Sequence, residues 1–242
     1  MSAIRIEGLT KKYKDTIAVD NLSLTIEEGE LLSLLGVNGA GKTTTIKMLS
    51  CLTRPTDGDA FLKGKSILTE SAAVKEVIAV SPQETAIAPG LTVEENLKLI
   101  SGVHGLTKDK QKEKIQELTG LLSLESVLNK KAGKLSGGWQ RRLSIAMALI
   151  SDPSILFLDE PTLGLDVLAR SELWDIIRSL KGNVTIILTT HYMEEAESLS
   201  DRIAIMKDGQ LLICDTAENI KNQTGTDRFE EAFIHIVKGV AQ

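Results

Sequence analysis

The segment Gly36, Val37, Asn38, Gly39, Ala40, Gly41, Lys42, Thr43 carries the sharpest chemical pattern in the chain. Its form, GxxxxGK[ST], lets a backbone curl so that successive N–H groups face one anion, and a helix opening near Lys42 adds the positive end of its dipole. Lys42 is then placed to reach the β- and γ-phosphates of a nucleotide, and the Thr43 hydroxyl to coordinate Mg²⁺, with Thr44 assisting at the helix start. Charge-assisted bonds of this kind contribute about 1.5–3 kcal/mol each. A glycine-rich turn with an incidental lysine shares the short pattern. The phosphate-binding version also requires a strand before it and a helix after it, and the buried run Leu31 to Leu35 and the helical stretch Thr43 to Leu49 supply both.

Further chemistry lies downstream. Ile155 to Leu158 reads as a buried strand ending in Asp159 and Glu160, adjacent carboxylates that are costly there unless a cation or substrate meets them. A strand alternates faces, so the two can divide the work: Asp159 holds the Mg²⁺ shell, and Glu160 polarises an attacking water as general base. Standing alone, Asp159, Glu160 and Pro161 would more simply close a strand. The phosphate loop upstream and the run Thr162, Leu163, Gly164, Leu165, Asp166 downstream favour the catalytic reading. Leu135, Ser136, Gly137 and Gly138 precede a helix that Ser136 can cap, and the glycines allow close approach to its bare N–H groups, a second anion site.

In order and context these motifs resemble the ATP-binding cassette (ABC) family, and Leu135 to Gly138 resembles its signature. The resemblance covers almost the whole chain. It implies an α/β fold with a P-loop NTPase core, a mainly parallel sheet, an N-terminal antiparallel β part and a helical insertion subdomain. It also implies ATP and Mg²⁺ as cofactors and hydrolysis of ATP to ADP and phosphate. By the same resemblance Gly36, Asn38, Gly39, Ala40, Gly41, Lys42, Thr43 and Thr44 hold the nucleotide. Tyr13 stacks on adenine, Gln83 touches Mg²⁺ or water and links the core to the insertion, and His191 contacts the γ-phosphate and orients the water. Asp166 falls in the loop that communicates between sites. Ser136, Gly137 and Gly138 are implied to meet the γ-phosphate of ATP held by a second nucleotide-binding subunit, so that ATP is sandwiched in a head-to-tail homodimer. Read singly, Tyr13 also fits a strand-edge tyrosine, Gln83 a loop glutamine and His191 a structural histidine, while Asp166 also fits an N-cap, a role compatible with the first. The fifth signature position, often Gln, is Trp139, followed by Gln140; this departure bears on dimer affinity rather than on the anion donors.

The elements that must position these residues follow from periodicity. Ile4, Ile6, Leu9, then Val19, Leu22, Leu24 and Ile26 alternate as strands, beginning at Met1; short strands follow at 61–63 and 77–80. Residues 92–150 read as mostly helical, opening on a capping box at Thr92 and Glu95. Lys108, Lys110, Lys112 and Lys114, mixed with Asp109, Glu113 and Glu117, mark a solvated helix face rather than a binding patch. Strands return at 154–158, 184–189, 202–206 and 210–213 with helices between, the pattern of a mainly parallel sheet covered on both faces. The expected division is an ATPase core at 1–83 and 154–227, a helical subdomain at 84–153 and a C-terminal helix at 228–242. Lys221 to Asp227 reads as a polar link to that last helix. There Phe229, Phe233, Ile236 and Val237 share one face, fit either for docking or for packing on the chain itself.

Composition narrows the function. With 28 Lys+Arg against 33 Asp+Glu the net charge is −5, which gives no support for nucleic-acid binding. Cys51 and Cys214 stand alone, without a CxxC or a neighbouring His, and fit a reducing, cytoplasmic setting. The first residues alternate and carry charge, unlike a signal peptide. No apolar run approaches the roughly 20 residues that span a bilayer, so an integral membrane permease would do the spanning, with this chain peripheral on the cytoplasmic face. His191 to Glu197 and Phe229 to Phe233 resemble the bacterial branch that powers export-type permeases for drugs, lipids, peptides or ions. A soluble cassette ATPase acting on ribosomes or DNA is the competing reading; such relatives usually carry two cassettes or long coiled coils, and sustained heptads are missing here. A regulatory module that binds nucleotide without turnover is disfavoured by Glu160.

Overall fold

The computed structural model describes residues 2–239. In chain order the elements are β1 (Ser2–Tyr13), β2 (Thr16–Glu27), β3 (Leu31–Leu35), α1 (Lys42–Leu49), β4 (Asp57–Leu62), β5 (Lys65–Ser66), α2 (Ser71–Val77) and β6 (Ile78–Ser81). Helices α3 (Val93–Val103), α4 (Lys108–Leu121) and α5 (Gly137–Leu149) follow. The remainder alternates: β7 (Ile155–Asp159), α6 (Val167–Leu180), β8 (Thr185–Thr190), α7 (Met193–Leu199), β9 (Arg202–Lys207), β10 (Gln210–Asp215), α8 (Ala217–Thr224) and α9 (Phe229–Lys238). Met1, expected to begin the first strand, and residues 240–242, expected to end the last helix, lie outside the described residues.

These strands make two sheets. The amino-terminal one has the order β2-β1-β4-β5 with antiparallel pairs throughout, and the larger one the order β10-β9-β3-β8-β7-β6. In the larger sheet every pair from β9 to β6 is parallel, and β10 closes the edge antiparallel to β9. This is the expected fold class, a mainly parallel sheet with an antiparallel β part and inserted helices.

Alternation along the strands explains the layers. On β7, Ile155 and Phe157 face a cluster shared with the amino-terminal sheet and α1, whereas Leu156 and Leu158 face a cluster built with α3 to α6. The same division separates Ile187 from Ile186 and Leu188 on β8. Strands covered on both faces need near-continuous apolar runs, seen as Ile155 to Leu158 in β7 and, interrupted by the buried Ser33, in β3. Each large side chain buried this way is worth about 1.5–3 kcal/mol over leaving it exposed.

The capping box forms as expected: Glu95 N donates to Thr92 Oγ1 at 3.2 Å and Thr92 N to Glu95 Oε2 at 2.7 Å. Helix α4 presents Lys108, Lys110 and Lys112 to solvent; only Ile115, Leu118 and Thr119 are buried, and the half-buried Lys114 pairs with Glu117 and Asp152. The expected link before the last helix fails in part. Residues 221–224 of the supposed link belong to α8, because Thr216 Oγ1 caps Asn219 N at 3.1 Å, Ile220 is fully buried and Gly225 ends the helix at a φ of 64°. Helix α9 packs on its own chain, with Phe229, Ala232 and Phe233 against Ile203, Ile205 and Ile220. Helix α2 lacks a distinct sequence signal, since Val74 alone of its residues is buried.

Candidate active site

Parallel strands deliver their carboxyl ends to one edge, where loops converge. Strand β8 lies between β3 and β7, pairing Leu35 with Thr190 and Asp159 with Thr189. The glycine loop after β3, the carboxylates ending β7 and His191 after β8 are therefore neighbours by topology, and β6 adds the loop with Gln83 beside β7.

The loop has little freedom to be other than glycine at two points. A Cβ on Gly36 would lie 2.4 Å from the Met206 carbonyl oxygen, and one on Gly41, whose φ is 102°, 2.5 Å from that of Ala18. A Cβ on Gly39, at a φ of 87°, would meet nothing within 4 Å, so the loop is open on that side, where a ligand would approach. Lys42 opens α1 and folds back, its Nζ donating to Gly36 O at 2.6 Å and Val37 O at 3.3 Å. Burial lowers its pKa from the usual lysine value, against the opposing pull of the Glu160 and Asp159 carboxylates.

Asp159 is buried and accepts from Thr189 Oγ1 at 2.5 Å and from Thr43 Oγ1 at 3.2 Å. This joins the end of β7 to the start of α1. Glu160 has a φ of 46°, a conformation that costs a non-glycine residue about 1–3 kcal/mol. Its N–H is anchored to Thr189 by both Oγ1 at 3.0 Å and the carbonyl at 3.1 Å. His191 Nδ1 approaches Glu160 Oε2 to 3.1 Å but lacks hydrogen-bond alignment with it or with any other described residue.

A cleft of about 630 Å³ is lined by Tyr13, Asn38, Gly39, Ala40, Gly41, Lys42, Thr43, Thr44, Gln83, Glu160 and His191, with Thr16, Ile17, Ala18 and Leu163 completing the wall. Tyr13 ends β1, exposed, with Lys11 Nζ 4.9 Å from its ring centre. Gly36 underlies the loop, and Asp159 reaches the site through Thr43. Ser136, Gly137 and Gly138 do not join this cleft. They begin α5 beside the turn before α6: a Cβ on Gly138 would come within 3.1 Å of the Ala169 Cβ and one on Gly137 within 3.6 Å of Leu165. Ser136 occupies the N-cap position without a side-chain cap bond, and both it and Gly137 are exposed. Asp166 does cap α6, accepting from Ala169 N at 2.9 Å.

Two contributors escape sequence reading. Thr189 is apolar-strand filler by pattern, yet its hydroxyl links Asp159 to the Glu160 amide. Arg141, buried in α5, donates to Pro82 O and Gln83 O at 2.6 Å each and so holds the glutamine's loop. The available signal was a charged residue among the apolar positions of α5. Trp139, the unusual signature residue, is half-buried with the Arg142 guanidinium 4.8 Å from its ring centre, while Gln140 Nε2 donates to Ala132 O and Leu135 O.

The donor set suits a hard cation bound together with phosphate. Thr43, Asp159 and Gln83 offer a hydroxyl, a carboxylate and an amide, and among the described residues no cluster of three or more His, Cys, Asp or Glu could hold an ion by itself. Mg²⁺ is held in this manner, by few protein oxygens, with waters and substrate phosphate filling its octahedron. An ABC transporter family profile matches residues 19–163. The chain belongs to the ABC transporter family. The daunorubicin resistance ATP-binding protein DrrA3 of Streptomyces coeruleorubidus is 40% identical, covering 95% of this chain and 73% of that protein. The probable multidrug ABC transporter ATP-binding protein YbhF of Escherichia coli K12 is 38% identical over 98% of this chain, which spans 42% of it. Human phospholipid-transporting ATPase ABCA3 is 39% identical over 93% of this chain, which spans only 13% of its length. A solved ATP-binding subunit of an ABC transporter superposes with a TM-score of 0.86 at 26% identity, covering 97% of this chain and 99% of that one. The dimeric ATP-binding cassette MJ0796, bound to ADP and Pi, gives 0.79 at 28% identity, with 88% of this chain and 98% of that one covered. This chain is accordingly an ABC ATPase of the family that binds and hydrolyses ATP. No helix among the described residues is long and apolar enough to cross a membrane.

Proposed function

We propose that this ABC ATPase powers a separate membrane permease, exporting drugs, lipids, peptides or ions, from the cytoplasmic face of the membrane. The observation that carries the reading is the single cleft that gathers the glycine loop, Gln83, Glu160 and His191 at one sheet edge. In it the loop amides and Lys42 bind the phosphates, and Tyr13 stacks on adenine. Glu160 takes a proton from water as it attacks the γ-phosphorus, and His191 orients that water and contacts the γ-phosphate. Thr43, Asp159 and Gln83 would hold Mg²⁺, which neutralises charge on the β- and γ-phosphate oxygens.

Ser136 and Gly137, exposed, and the half-buried Gly138, all outside the cleft, close the site of a second copy in an ATP-sandwiched homodimer. ATP then favours the closed dimer, and hydrolysis removes that preference. The ATPase core comprises 1–83 and 154–227, with 84–153 as the helical subdomain and 228–242 as the C-terminal segment. The permease engages near Gln83 and Glu84 to Glu95, where a groove of about 230 Å³ runs between β6 and the inserted helices, lined by Ile78, Pro82, Ile100, His104 and Met147. Purification of the tagged chain in mild detergent tests this coupling. Recovery of an integral membrane protein supports it, and recovery of ribosomes or DNA in its place would establish the soluble alternative.

A further inference from the structure

The fully buried Glu195 lies one turn into α7, beyond His191 and outside the cleft that holds the catalytic groups. A carboxyl at such a site is expensive unless its oxygens are met. One is met: Trp174 Nε1, from α6, donates to Oε1 at 3.1 Å. The hydroxyls of Thr162 and Thr190, both buried residues, approach the carboxyl from the turn after β7 and from the end of β8. Yet Oε2 and Thr162 Oγ1 each remain without a well-aligned partner among the described residues. Arg170 is the opposite charge facing this pocket from α6, and its guanidinium lies 5.3 Å from the Tyr192 ring centre. Burial raises the Glu195 pKa above the usual carboxylate value, with the nearby Thr190 and Thr162 hydroxyls, the Trp174 bond and the Arg170 charge opposing the rise.

These contacts surround the turn that carries His191. Thr190 Oγ1 accepts from Tyr192 N at 2.9 Å, so the hydroxyl beside Glu195 also fixes the backbone on the far side of His191. Thr162 sits two residues after Glu160 on the turn that carries the base. The carboxyl therefore bridges three segments: the Glu160 turn, the His191 turn, and α6, whose first turn adjoins the glycines of the signature.

We propose that Glu195 is a positioning residue for hydrolysis, its buried carboxyl holding the His191 turn in register with the Glu160 turn by accepting from the Trp174 indole and lying against the Thr162 and Thr190 hydroxyls. The carboxyl accepts from the Trp174 indole, and an amide of the same shape can accept there through its own oxygen. The proposal rests on the assignment of Glu160 and His191 to water activation. It adds a residue that touches neither nucleotide nor water.

The test uses the full chain, with ATPase rates, melting temperature and KM for ATP measured for wild type, Glu195→Ala, Glu195→Gln, His191→Ala and Glu195→Ala/His191→Ala. Folded Glu195→Ala should lose about 10- to 100-fold in kcat, the scale of a misplaced catalytic group, with KM unchanged. Glu195→Gln should restore most of that rate, and the double variant should be no slower than His191→Ala alone. Wild-type kcat in folded Glu195→Ala, additive losses in the double variant, or a Gln variant as impaired as Ala would each overturn the proposal while leaving the reading of the cleft intact. Wild-type rates in His191→Ala would overturn both. If Glu195→Ala does not fold, Trp174→Phe, which keeps the carboxyl and removes its aligned donor, should show a kcat loss at constant KM; wild-type kcat there would overturn the proposal.

Discussion

Replacing Arg141 by Met isolates one structural argument: that the Gln83 loop is held from α5 by backbone contacts. Methionine keeps an unbranched apolar stem and removes the guanidinium. That group donates at 2.6 Å to Pro82 O and at 2.6 Å to Gln83 O, and the residue is 4% exposed. Bonds from a charged donor contribute about 1.5–3 kcal/mol each, so the gross loss is about 3–6 kcal/mol. Against this stands the cost of burying a guanidinium without a carboxylate partner, several kcal/mol, which leaves a net destabilisation of about 2 kcal/mol. Burial lowers the Arg141 pKa, and the Asp159 and Glu195 carboxylates oppose that shift. For a chain of this size each kcal/mol moves Tm by about 2–4 °C, so calorimetry should find Tm lowered by about 4–8 °C. The glycine loop is untouched, so KM for ATP should hold while kcat falls about tenfold as Gln83 loses its anchor. An unchanged Tm, or a raised KM with unchanged kcat, would refute the reasoning.

Gly41→Ala forces a side chain into a φ of 102° and within 2.5 Å of the Ala18 carbonyl oxygen; binding of a fluorescent ATP analogue should be lost, and retained affinity would show that the loop adapts. Ser136→Ala in one member of a mixed dimer should impair the site formed by the other member's Lys42. Damage confined to the mutated chain's own loop in single-turnover kinetics would contradict that pairing. Burial pushes the Cys214 thiol up to about 11 from an ordinary 9.0, so its contribution to stability is full below pH 9 and fades as pH climbs through about 11. In the native chain at about pH 8 iodoacetamide should leave Cys214 unlabelled, whereas urea-unfolded chain should react.

The motifs were legible in sequence because each encodes a local physical requirement. Gly36 and Gly41 stand where a Cβ has no room, and the apolar runs of β3 and β7 announce strands covered on both faces. The capping box at Thr92 was legible for the same reason, being complete within four residues. What could not be read is long-range. Thr189 looks like any β-branched strand residue until β8 is placed beside β7, and Arg141 has no sequence neighbour that betrays its partners in the loop after β6. The 221–227 stretch was misread because its polarity is real; one buried side chain, Ile220, and a glycine stop suffice to make most of it helix. Separation of Ser136 to Gly138 from the cleft was implied only through resemblance, since local spacing says nothing about which copy of a loop a second anion site will serve.

The central claim is that the cleft binds ATP for hydrolysis by Glu160 and is completed by the Ser136 to Gly138 segment of a second copy. Analytical ultracentrifugation of Glu160→Gln with and without Mg-ATP tests it directly. The variant should be a monomer without nucleotide and a stable dimer, retaining unhydrolysed ATP, with it. A variant that stays monomeric while saturated with ATP would contradict the shared site, and one that hydrolyses ATP at the wild-type rate would remove Glu160 from the chemistry.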